Sequence, residues 1–457
     1  MPAIAESIVR QIASPAARKL EQSAGRELTA STCKTVARDT LAKAARATLN
    51  PDLAKLLDNP TLANQVTFHL STEESHQALL QSIANAQHSF YVETFIWHND
   101  QAGKEVADAL INRKQAVEAA GGKFDAKVLV DWIGLHDAGG DDQPMVDYLR
   151  KNGVDVKIFS PGYLNLDAMR VAPITHRKLY IQDGSQFITG GRNIGNEYEL
   201  PTYTVPGTNT TEVSWNDMLY TVKGEETGRI LDRFFTDWKK AGGKVPHRAA
   251  WPTVEPHVGP KVAVQSIVTD PYSRTKEILA KHMQAIAAAK KDIVAIYPYF
   301  SDDDLINALI AAKKANPALR VRAVMPSCAE PSHDGSLYAV LNRETARRLL
   351  NGGVEVRWYA GGEVDGKAVN RFSHMKGMAI DGELLSIGSG NADARTYADN
   401  HELNTLIHDR ETAQRYMNLV AEPEWAQSTP ATIADLNKDS LWDRTKQKVL
   451  RLFEFAL

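Results

Sequence analysis

The sequence predicts an α/β protein built from two related domains, with helical extensions at both ends. The first observation is the length of 457 residues, which suits two globular domains of about 100–200 residues each. The second is that strand-like and helix-like patterns alternate from about residue 66 to about residue 430. The third is a long-period repeat, because a helix, a glycine and a strand around Gly153 recur around Gly353.

The elements follow in order along the chain. Residues 1–65 are rich in Ala, Leu, Arg, Lys and Glu with apolar residues at helical spacing, which predicts a helical N-terminal extension. Residues 66–250 are the predicted first domain and residues 251–457 the second, which includes a C-terminal helix. The elements predicted within the domains are strands at 90–92, 95–97, 127–130, 293–297 and 321–324, a helix at 305–314, and helix–glycine–strand units at 145–159 and 344–359.

The C-terminal helix allows two interpretations. The last nine residues are strongly apolar, and basic residues at 444, 446, 448 and 451 lie just before or within them. Such a helix either lies on a membrane surface or docks on the protein's own core. Docking is the commoner way to order a chain end, and it is the favoured interpretation here.

Composition and charge exclude several classes of protein. With 43% hydrophobic and 24% charged residues, the chain is neither disordered nor fibrous and can bury large cores. The 53 basic and 56 acidic residues leave a net charge of −3. Proteins that bind nucleic acid usually carry a basic excess, so no nucleic-acid partner is expected.

The cysteines and the apolar segments bear on location. Cys33 and Cys328 lie far apart, which fits neither a disulfide framework nor a zinc site. No stretch approaches the roughly 18 consecutive apolar residues of a membrane-spanning helix. Charges at Glu6, Arg10 and Arg18 interrupt the start of the chain, so it lacks the apolar core of a secretory signal. We therefore expect a cytoplasmic or peripheral membrane protein, and export without a cleavable signal peptide stays open.

One polar pattern occurs twice with the same internal spacing. Each copy holds a histidine, a lysine two positions later, an Asp-Gly pair, and an asparagine at the end of a glycine-containing segment. The first copy comprises His176, Lys178, Asp183 and Asn193, and the second comprises His374, Lys376, Asp381 and Asn391. Each member of the second copy lies 198 residues after its counterpart, which core packing does not readily explain.

The local geometry of each copy can be argued from strand periodicity. Residues i and i+2 of a strand share a face, so each histidine and its lysine should point the same way. An Asp-Gly pair after a strand predicts a two-residue hairpin turn, because both residues tolerate positive φ. This register pairs His176 with Gly191 and Lys178 with Thr189, and in the second copy it pairs the histidine with Ser389 and the lysine with Ile387. Each copy would then present His, Lys and Asn together.

These residue types suit the chemistry of a phosphodiester. Lysine and asparagine supply hydrogen-bond donors to an oxyanion, and histidine supplies a nucleophile or a proton carrier. Two histidines allow one imidazole to attack phosphorus while the other protonates the leaving alcohol. A lysine beside each histidine disfavours a metal ion by repulsion. The sequence therefore predicts neither a metal nor another cofactor.

At these residues the sequence resembles the phospholipase D superfamily, whose signature is H-x-K-x(4)-D followed by G-G/S-x-N. Both copies match that signature in full, and the resemblance extends over residues 66 to 430. The segments Trp215-Asn216-Asp217 and Asn400-His401-Glu402 are most similar to the bacterial cardiolipin synthase-like branch. The commonest cardiolipin synthases carry two N-terminal membrane helices, whereas residues 1–65 here are too charged to span a membrane.

The resemblance implies two mixed-sheet α/β domains related by a pseudo-twofold, with one active site between them. It implies a covalent phosphohistidine, for which we expect His176 to be the nucleophile and His374 the general acid. Lysines 178 and 376 and asparagines 193 and 391 match phosphate-holding positions, and Asp217 and Glu402 are the expected carboxylates that orient the imidazoles. Asp183 and Asp381 belong to the signature, but at a hairpin turn they should lie away from the phosphorus and act structurally.

The leading functional prediction is a phospholipase D-type phosphodiesterase that cleaves or transfers the phosphatidyl group of phospholipids. Its expected partners are a phospholipid at a membrane surface and a water or alcohol acceptor. One alternative is a cardiolipin synthase, that is, a phosphatidyltransferase, as the main activity; the other is a nuclease of the same superfamily. Hydrolysis and transfer share the covalent intermediate, so the sequence does not separate them, nor does it name the head group.

Overall fold

The computed structural model describes residues 49–139, 142–159, 173–205, 209–326, 335–364 and 367–440, and the single residues 442, 445, 447, 450 and 451. Contacts divide the chain into two units, residues 1–54 and 55–457. Residues 49–54 are the described part of the first unit. They contain helix α1 (Pro51–Ala54), where Asn50 Oδ1 accepts a hydrogen bond from the backbone N of Asp52 at 3.1 Å. All other described elements belong to the second unit.

Strands and helices alternate through the second unit, and the strands are numbered in chain order. They are β1 (Thr61–His69), β2 (Ser89–Thr94), β3 (Asp125–Asp131), β4 (Asp155–Phe159), β5 (Leu179–Gln182), β6 (Gln186–Gly190), β7 (Thr202–Thr204), β8 (Thr211–Val213), β9 (Leu219–Gly224), β10 (Val262–Asp270), β11 (Thr275–Lys276), β12 (Asp292–Ile296), β13 (Arg320–Pro326), β14 (Glu355–Tyr359), β15 (Gly361–Val364), β16 (Lys367–Asn370), β17 (Gly377–Ile380), β18 (Leu384–Gly388), β19 (Glu402–His408) and β20 (Thr429–Pro430).

The helices connect these strands and cover the sheet. They are α2 (Thr72–Asn85), α3 (Gln101–Ala119), α4 (Gln143–Lys151), α5 (Asn196–Glu199), α6 (Thr227–Lys240), α7 (Glu277–Ala288), α8 (Asp303–Ala315), α9 (Gly335–Asn351), α10 (Ala394–Ala398), α11 (Arg410–Tyr416), α12 (Glu422–Gln427) and α13 (Ile433–Leu436). Short 3-10 turns lie at Gly134–Gly139 and Arg248–Ala250, and one π-helical turn lies at Met417–Ala421.

One large mixed sheet contains two copies of the same strand order. Its path is β20-β14-β13-β12-β17-β18-β19-β10-β1-β9-β6-β5-β2-β3-β4. Outward from the central antiparallel pair β1–β10, one half runs β1-β9-β6-β5-β2-β3-β4 and the other runs β10-β19-β18-β17-β12-β13-β14. The two halves are therefore equivalent strand for strand, as a pseudo-twofold requires. The predicted fold class, a mixed α/β protein with a duplicated sheet, is confirmed.

The sheet of the first half is buried on both faces, because alternate residues of its strands enter different cores. On one face, Tyr91 of β2 and Phe187 of β6 pack with Phe234 of α6. On the other face, Val92 of β2 joins a cluster that includes Leu110 of α3. Strands buried on both sides read as continuous apolar runs, and for that reason the sequence identifies β2 and β3 clearly.

The two helix–glycine–strand units form as predicted. Gly153 and Gly353 have φ of +79° and +84°, a left-handed conformation that glycine adopts without the steric cost of a Cβ. After each glycine the chain turns back on its helix. The N–H of Val154 donates to the carbonyl of Leu149 at 3.1 Å, and that of Val354 donates to the carbonyl of Leu349 at 3.0 Å.

Two local predictions differ from the structure, and a third is not tested by it. Strand β1 begins at Thr61, so residues 61–65 form a strand rather than the end of a helical extension. The segment 95–97 is not a strand; Trp97 makes one isolated bridge to Ile194, which tertiary pairing rather than apolar pattern decides. The predicted domain boundary near residue 250 falls in the segment that joins α6 to β10, and the two-domain division stays a prediction.

Both predicted extensions lie largely outside the described residues. The structure describes only residues 49–65 of the predicted N-terminal extension, and beyond residue 440 it describes single residues. Within the described part of the chain, none of the helices combines the length and the apolar composition needed to cross a bilayer.

The motif hairpins differ from prediction by one residue. Gln182 pairs with Gln186 and Ile380 pairs with Leu384, so each loop contains three residues and not two. The Asp-Gly pair does turn with positive φ, at +49° and +71° in the first copy. The carbonyl of Gln182 accepts from the N–H of Ser185 at 2.9 Å, and this serine is the extra residue that the ladder bypasses. The predicted pairings of both histidines and both lysines are therefore wrong, since the ladders start at Leu179–Thr189 and Gly377–Ile387.

Candidate active site

The two motif segments are each held by backbone from the other half of the sheet. The N–H of His176 donates to the carbonyl of His401 at 2.9 Å, beside an isolated bridge between Thr175 and His401. In the symmetric arrangement, the N–H of His374 donates to the carbonyl of Asn216 at 2.8 Å. Each motif segment is therefore bound to the opposite half of the sheet, and the pseudo-twofold relation between the halves brings both histidines to one region.

Each histidine also makes a hydrogen bond to a carboxylate of the other half. His176 Nδ1 lies 2.9 Å from Glu402 Oε1, and His374 Nδ1 lies 2.7 Å from Asp217 Oδ2. The two carboxylates occupy equivalent places, two residues before Leu219 and Asn404, which pair with the last residues of β6 and β18. The structure thus places both predicted orienting carboxylates beside the histidines, and their catalytic role stays a prediction.

Burial makes both imidazoles neutral at pH 7. It lowers the pKa of His176 to about 4 and, together with Lys376, the pKa of His374 to about 3, despite the attraction of the carboxylates. Burial would raise the pKa of Glu402 and Asp217, but His176, Lys376 and the hydrogen bonds hold both below the ordinary range. A neutral imidazole beside a carboxylate keeps its proton on the facing nitrogen. We therefore place the proton on Nδ1 of each ring and the lone pair on Nε2.

The two motif lysines are buried and lie close to both histidines. Each Nζ donates to the carbonyl of its own motif histidine at 2.8 Å, Lys178 to His176 and Lys376 to His374. Lys376 helps to lower the pKa of His176, and Lys178 that of His374, so charge in each copy acts on the other. Burial lowers the pKa of Lys178 well below its usual range. Two buried amines beside two imidazoles favour an anion such as phosphate between them.

The two motif asparagines differ in their surroundings. Asn193 Oδ1 accepts from the backbone N of Ile96 at 3.3 Å, and its Nδ2 donates to the hydroxyl of Tyr198 at 3.0 Å. Asn391 is also buried, but within the described part of the chain its Oδ1 meets no hydrogen-bond partner. Phosphate binding by either asparagine stays a prediction, and the fold already engages the side chain of Asn193.

The signature aspartates lie at the turns of the motif hairpins. Asp183 accepts hydrogen bonds from the backbone N–H groups of residues 87, 88 and 89 at 2.6–2.8 Å. Asp381 accepts from those of residues 290, 291 and 292 at 2.7–3.1 Å. Each turn is thus tied to the start of the neighbouring strand, β2 or β12. Four strand residues separate each aspartate from its motif lysine, a span of roughly 15 Å.

A second pair of buried carboxylates, which the sequence did not predict, lies behind the histidines. The residue before each histidine carries a hydroxyl. Thr175 Oγ1 donates to Glu93 Oε1 at 2.5 Å, and Ser373 Oγ donates to Glu424. Burial raises the pKa of both carboxyl groups to about 7. The signal was present in the sequence, because Thr175 and Ser373 are also 198 residues apart and extend the repeat by one position.

Asp237, Asp270 and His401 are the side chains in the described residues best placed to hold a metal. One ligand atom of each lies within 4.8 Å of the others. The ammonium of Lys240, however, contacts Asp270 at 2.9 Å and Asp237 at 3.1 Å, and Arg177 pairs with Asp237. These cations already neutralise the carboxylates, so the cluster does not fit a divalent ion.

Comparisons with known proteins agree with the motif. Residues 282–422 match the family model described as cardiolipin synthase, PLD-like domain. The major cardiolipin synthase ClsA of Bacillus subtilis is 29% identical over 394 residues, which cover 85% of this chain and 74% of that protein. A cardiolipin synthase of Listeria monocytogenes serotype 4a is 29% identical over 398 residues, which cover 86% of this chain and 75% of that protein.

The fold is similar to a crystal structure of phosphatidylserine synthase from Haemophilus influenzae Rd KW20. The TM-score is 0.65 at 16% identity, over 89% of this chain and 97% of that one, and the likeness concerns the fold alone. The duplicated motif, the matched family model and the two curated relatives agree with one another. Together they make the chain similar to the phospholipase D-like cardiolipin synthases of bacteria, as the sequence resemblance predicts.

Proposed function

We propose that this enzyme is a phosphatidyltransferase of the cardiolipin synthase type, which joins two molecules of phosphatidylglycerol and releases glycerol. One observation carries the proposal: two neutral imidazoles, each bonded through Nδ1 to a carboxylate of the opposite half, share one region with two buried lysines. This set suits a double displacement at phosphorus. The curated relatives are cardiolipin synthases, which favours the cardiolipin synthase alternative over the broader prediction of a phosphodiesterase that cleaves or transfers the phosphatidyl group.

In the first step His176 acts as the nucleophile. Its Nε2 attacks the phosphorus of one phosphatidylglycerol, and the bond between phosphorus and the glycerol head-group oxygen breaks. His374 gives the leaving oxygen a proton from Nε2, so glycerol departs neutral and a phosphatidyl–histidine remains. His176 has the more accessible ring, 12% exposed against 5% for His374, which supports this assignment.

The protonation of His374 depends on the substrate. Its pKa is about 3 because burial and Lys376 disfavour the imidazolium. A phosphodiester anion between the two lysines would add a negative charge beside the ring, and its attraction would raise that pKa. Asp217 then holds the imidazolium through Nδ1, as Glu402 holds the His176 ring during attack.

In the second step the acceptor reverses the first. A head-group hydroxyl of a second phosphatidylglycerol transfers its proton to His374 Nε2 and attacks phosphorus. The phosphorus–nitrogen bond breaks, neutral His176 is restored, and cardiolipin is released. Water in place of the second lipid would give phosphatidic acid. The identity of the acceptor therefore decides whether the enzyme acts as a transferase or as a hydrolase. Because both substrates are membrane lipids, we propose that the enzyme works at a membrane surface as a peripheral protein.

Product analysis tests the proposal. The purified enzyme would be mixed with phosphatidylglycerol vesicles, and the lipids measured by mass spectrometry over time, with and without added glycerol. We expect cardiolipin to form, and added glycerol to slow its net formation because glycerol reverses the first step. The His176→Ala, His374→Ala double variant is the control and should form none. Phosphatidic acid as the dominant product would refute the transferase assignment, and full turnover by the double variant would refute the catalytic site.

A further inference from the structure

An open depression is lined by the second half of α6 and by residues of the segment 243–251 that follows it. Its volume is about 930 Å³, and its lining includes Phe235, Lys239, Lys240, Lys244 and Trp251. We call it the α6 basin. It combines an aromatic floor with a rim of lysines, which is the composition that suits an amphiphile with an anionic head.

The floor of the α6 basin is apolar. The rings of Phe235 and Trp251 lie 4.3 Å apart between centroids, at an angle of 31°. Trp251 Nε1 donates to the carbonyl of Pro246 at 3.0 Å, so the polar atom of the indole is satisfied within the chain. Phe235 is only 2% exposed, and Arg248 lies 4.7 Å from the centroid of the Trp251 ring, so the exposed part of that indole is the hydrocarbon surface that a ligand can contact.

The rim carries an excess of positive charge. Among the described residues, Lys239 and Lys244 form no ion pair, and both are exposed. Asp232 also lines the basin, but Arg248 pairs with both of its carboxylate oxygens. The helix dipole favours lysine in the last turn of α6 and so accounts for Lys239. It does not account for Lys244, which lies four residues beyond the end of the helix.

The end of the α6 basin at Lys240 lies at the same edge of the sheet as the catalytic residues. Lys240, on its rim, bonds to Asp270 at the end of β10, and the preceding residue of β10 pairs with Glu402. Glu402 in turn bonds to His176. At this edge Tyr272 is 56% exposed, with its ring 5.0 Å from Lys240 Nζ. Exposed aromatic rings next to lysines are typical of protein surfaces that meet a bilayer.

We infer that the α6 basin binds the phosphate head of an anionic phospholipid that remains in the bilayer. Lys239 and Lys244 contact the phosphate, and the exposed part of Trp251 contacts the glycerol and the first acyl carbons. This contact holds the catalytic edge of the sheet against the membrane while a second lipid reaches the histidines. The inference rests on the proposed function only in taking the substrate to be a membrane lipid.

Vesicle binding by the full chain tests the inference. The Lys239→Gln, Lys244→Gln variant is compared with Lys223→Gln, Lys261→Gln, a matched pair of exposed lysines at the opposite edge of the same sheet. Binding is measured by co-sedimentation with phosphatidylcholine vesicles, with and without phosphatidylglycerol. Because each lysine at an anionic surface strengthens binding about fivefold, we expect the basin variant to bind phosphatidylglycerol vesicles roughly 25-fold more weakly. The matched pair should bind within about twofold of wild type.

Turnover of a short-chain, monomeric phosphatidylglycerol provides a second measurement, since it needs no bilayer. The basin variant should convert this substrate at the wild-type rate, which shows that its fold and catalytic site are intact. Wild-type affinity of the basin variant for anionic vesicles would overturn the inference, as would an equal loss in the matched pair. Binding to duplex DNA through the same lysines, without binding to vesicles, would also overturn it. If no form of the enzyme converts the monomeric lipid, the proposed function fails, while the vesicle result still decides the docking surface.

Discussion

Replacing Glu402 by glutamine tests whether the carboxylate that the second half of the sheet supplies to His176 supports catalysis. Glu402 is fully buried, and its Oε1 lies 2.9 Å from His176 Nδ1. Glutamine keeps the shape but removes the charge that faces the imidazole. A hydrogen bond to a charged group contributes about 1.5–3 kcal/mol, so its loss in the transition state slows the reaction about 10- to 150-fold.

The tautomer of His176 places the expected effect near the upper end of that range. A glutamine amide can donate to Nδ1, which would move the imidazole proton to Nε2. An imidazole protonated on Nε2 has no lone pair directed at phosphorus and cannot attack. We therefore expect turnover of phosphatidylglycerol by Glu402→Gln to fall roughly 100-fold, with little change in affinity for the lipid, because the lysines remain.

The assay is steady-state cardiolipin formation with product detection by mass spectrometry, combined with urea denaturation to show that the variant is folded. Ser389→Ala is the matched control. Ser389 Oγ donates to Glu402 Oε2 at 2.6 Å, so its removal weakens support for the same carboxylate while leaving the charge in place. We expect a loss of about fivefold, from roughly 1 kcal/mol. A Glu402→Gln enzyme within about threefold of wild type would refute the reasoning.

Three further predictions concern the hairpin turn at Asp183, the carboxylate of Asp217 and the buried side chain of His282. Asp183→Ala leaves three backbone N–H groups, those of residues 87–89, without their acceptor, so urea denaturation should show a loss of about 1–3 kcal/mol, with turnover per folded molecule unchanged; a large loss of turnover would contradict a structural role. Gly191→Ala would place a Cβ against both carboxylate oxygens of Asp217 and displace that group from the histidine it supports, so cardiolipin formation should fall about 100-fold; unaltered turnover would show that the site tolerates the shift. Burial lowers the pKa of His282 to about 3, so from pH 6.5 downward the unfolded chain binds a proton there that the folded chain does not, and wild type loses stability. Urea titrations give the free energy of unfolding of wild type and of His282→Gln. The wild-type value minus the variant value should decrease by about 1.4 kcal/mol for each pH unit from pH 6 down to pH 4. A difference that does not change with pH would be incompatible with a buried neutral histidine.

Local pattern was sufficient for much of the fold. Apolar runs identified β2 and β3, and the two helix–glycine–strand units follow from the left-handed conformation that glycine adopts at Gly153 and Gly353. Pattern was insufficient where tertiary pairing competes with it. The loop of the first motif hairpin contains one residue more than the Asp-Gly pair predicts. Trp97 forms an isolated bridge to Ile194 and is not part of the predicted strand.

The sequence by itself determined which side chains carry the proposed chemistry, because the same histidine, lysine and asparagine recur 198 residues further along the chain. Only the tertiary structure decided how they are combined. His176 meets a carboxylate 226 residues away, and His374 meets one 157 residues away, each in the opposite half of the sheet. The physical reason is that turn and strand conformations depend on neighbouring residues, whereas these contacts exist only after β1 and β10 pair and join the two halves.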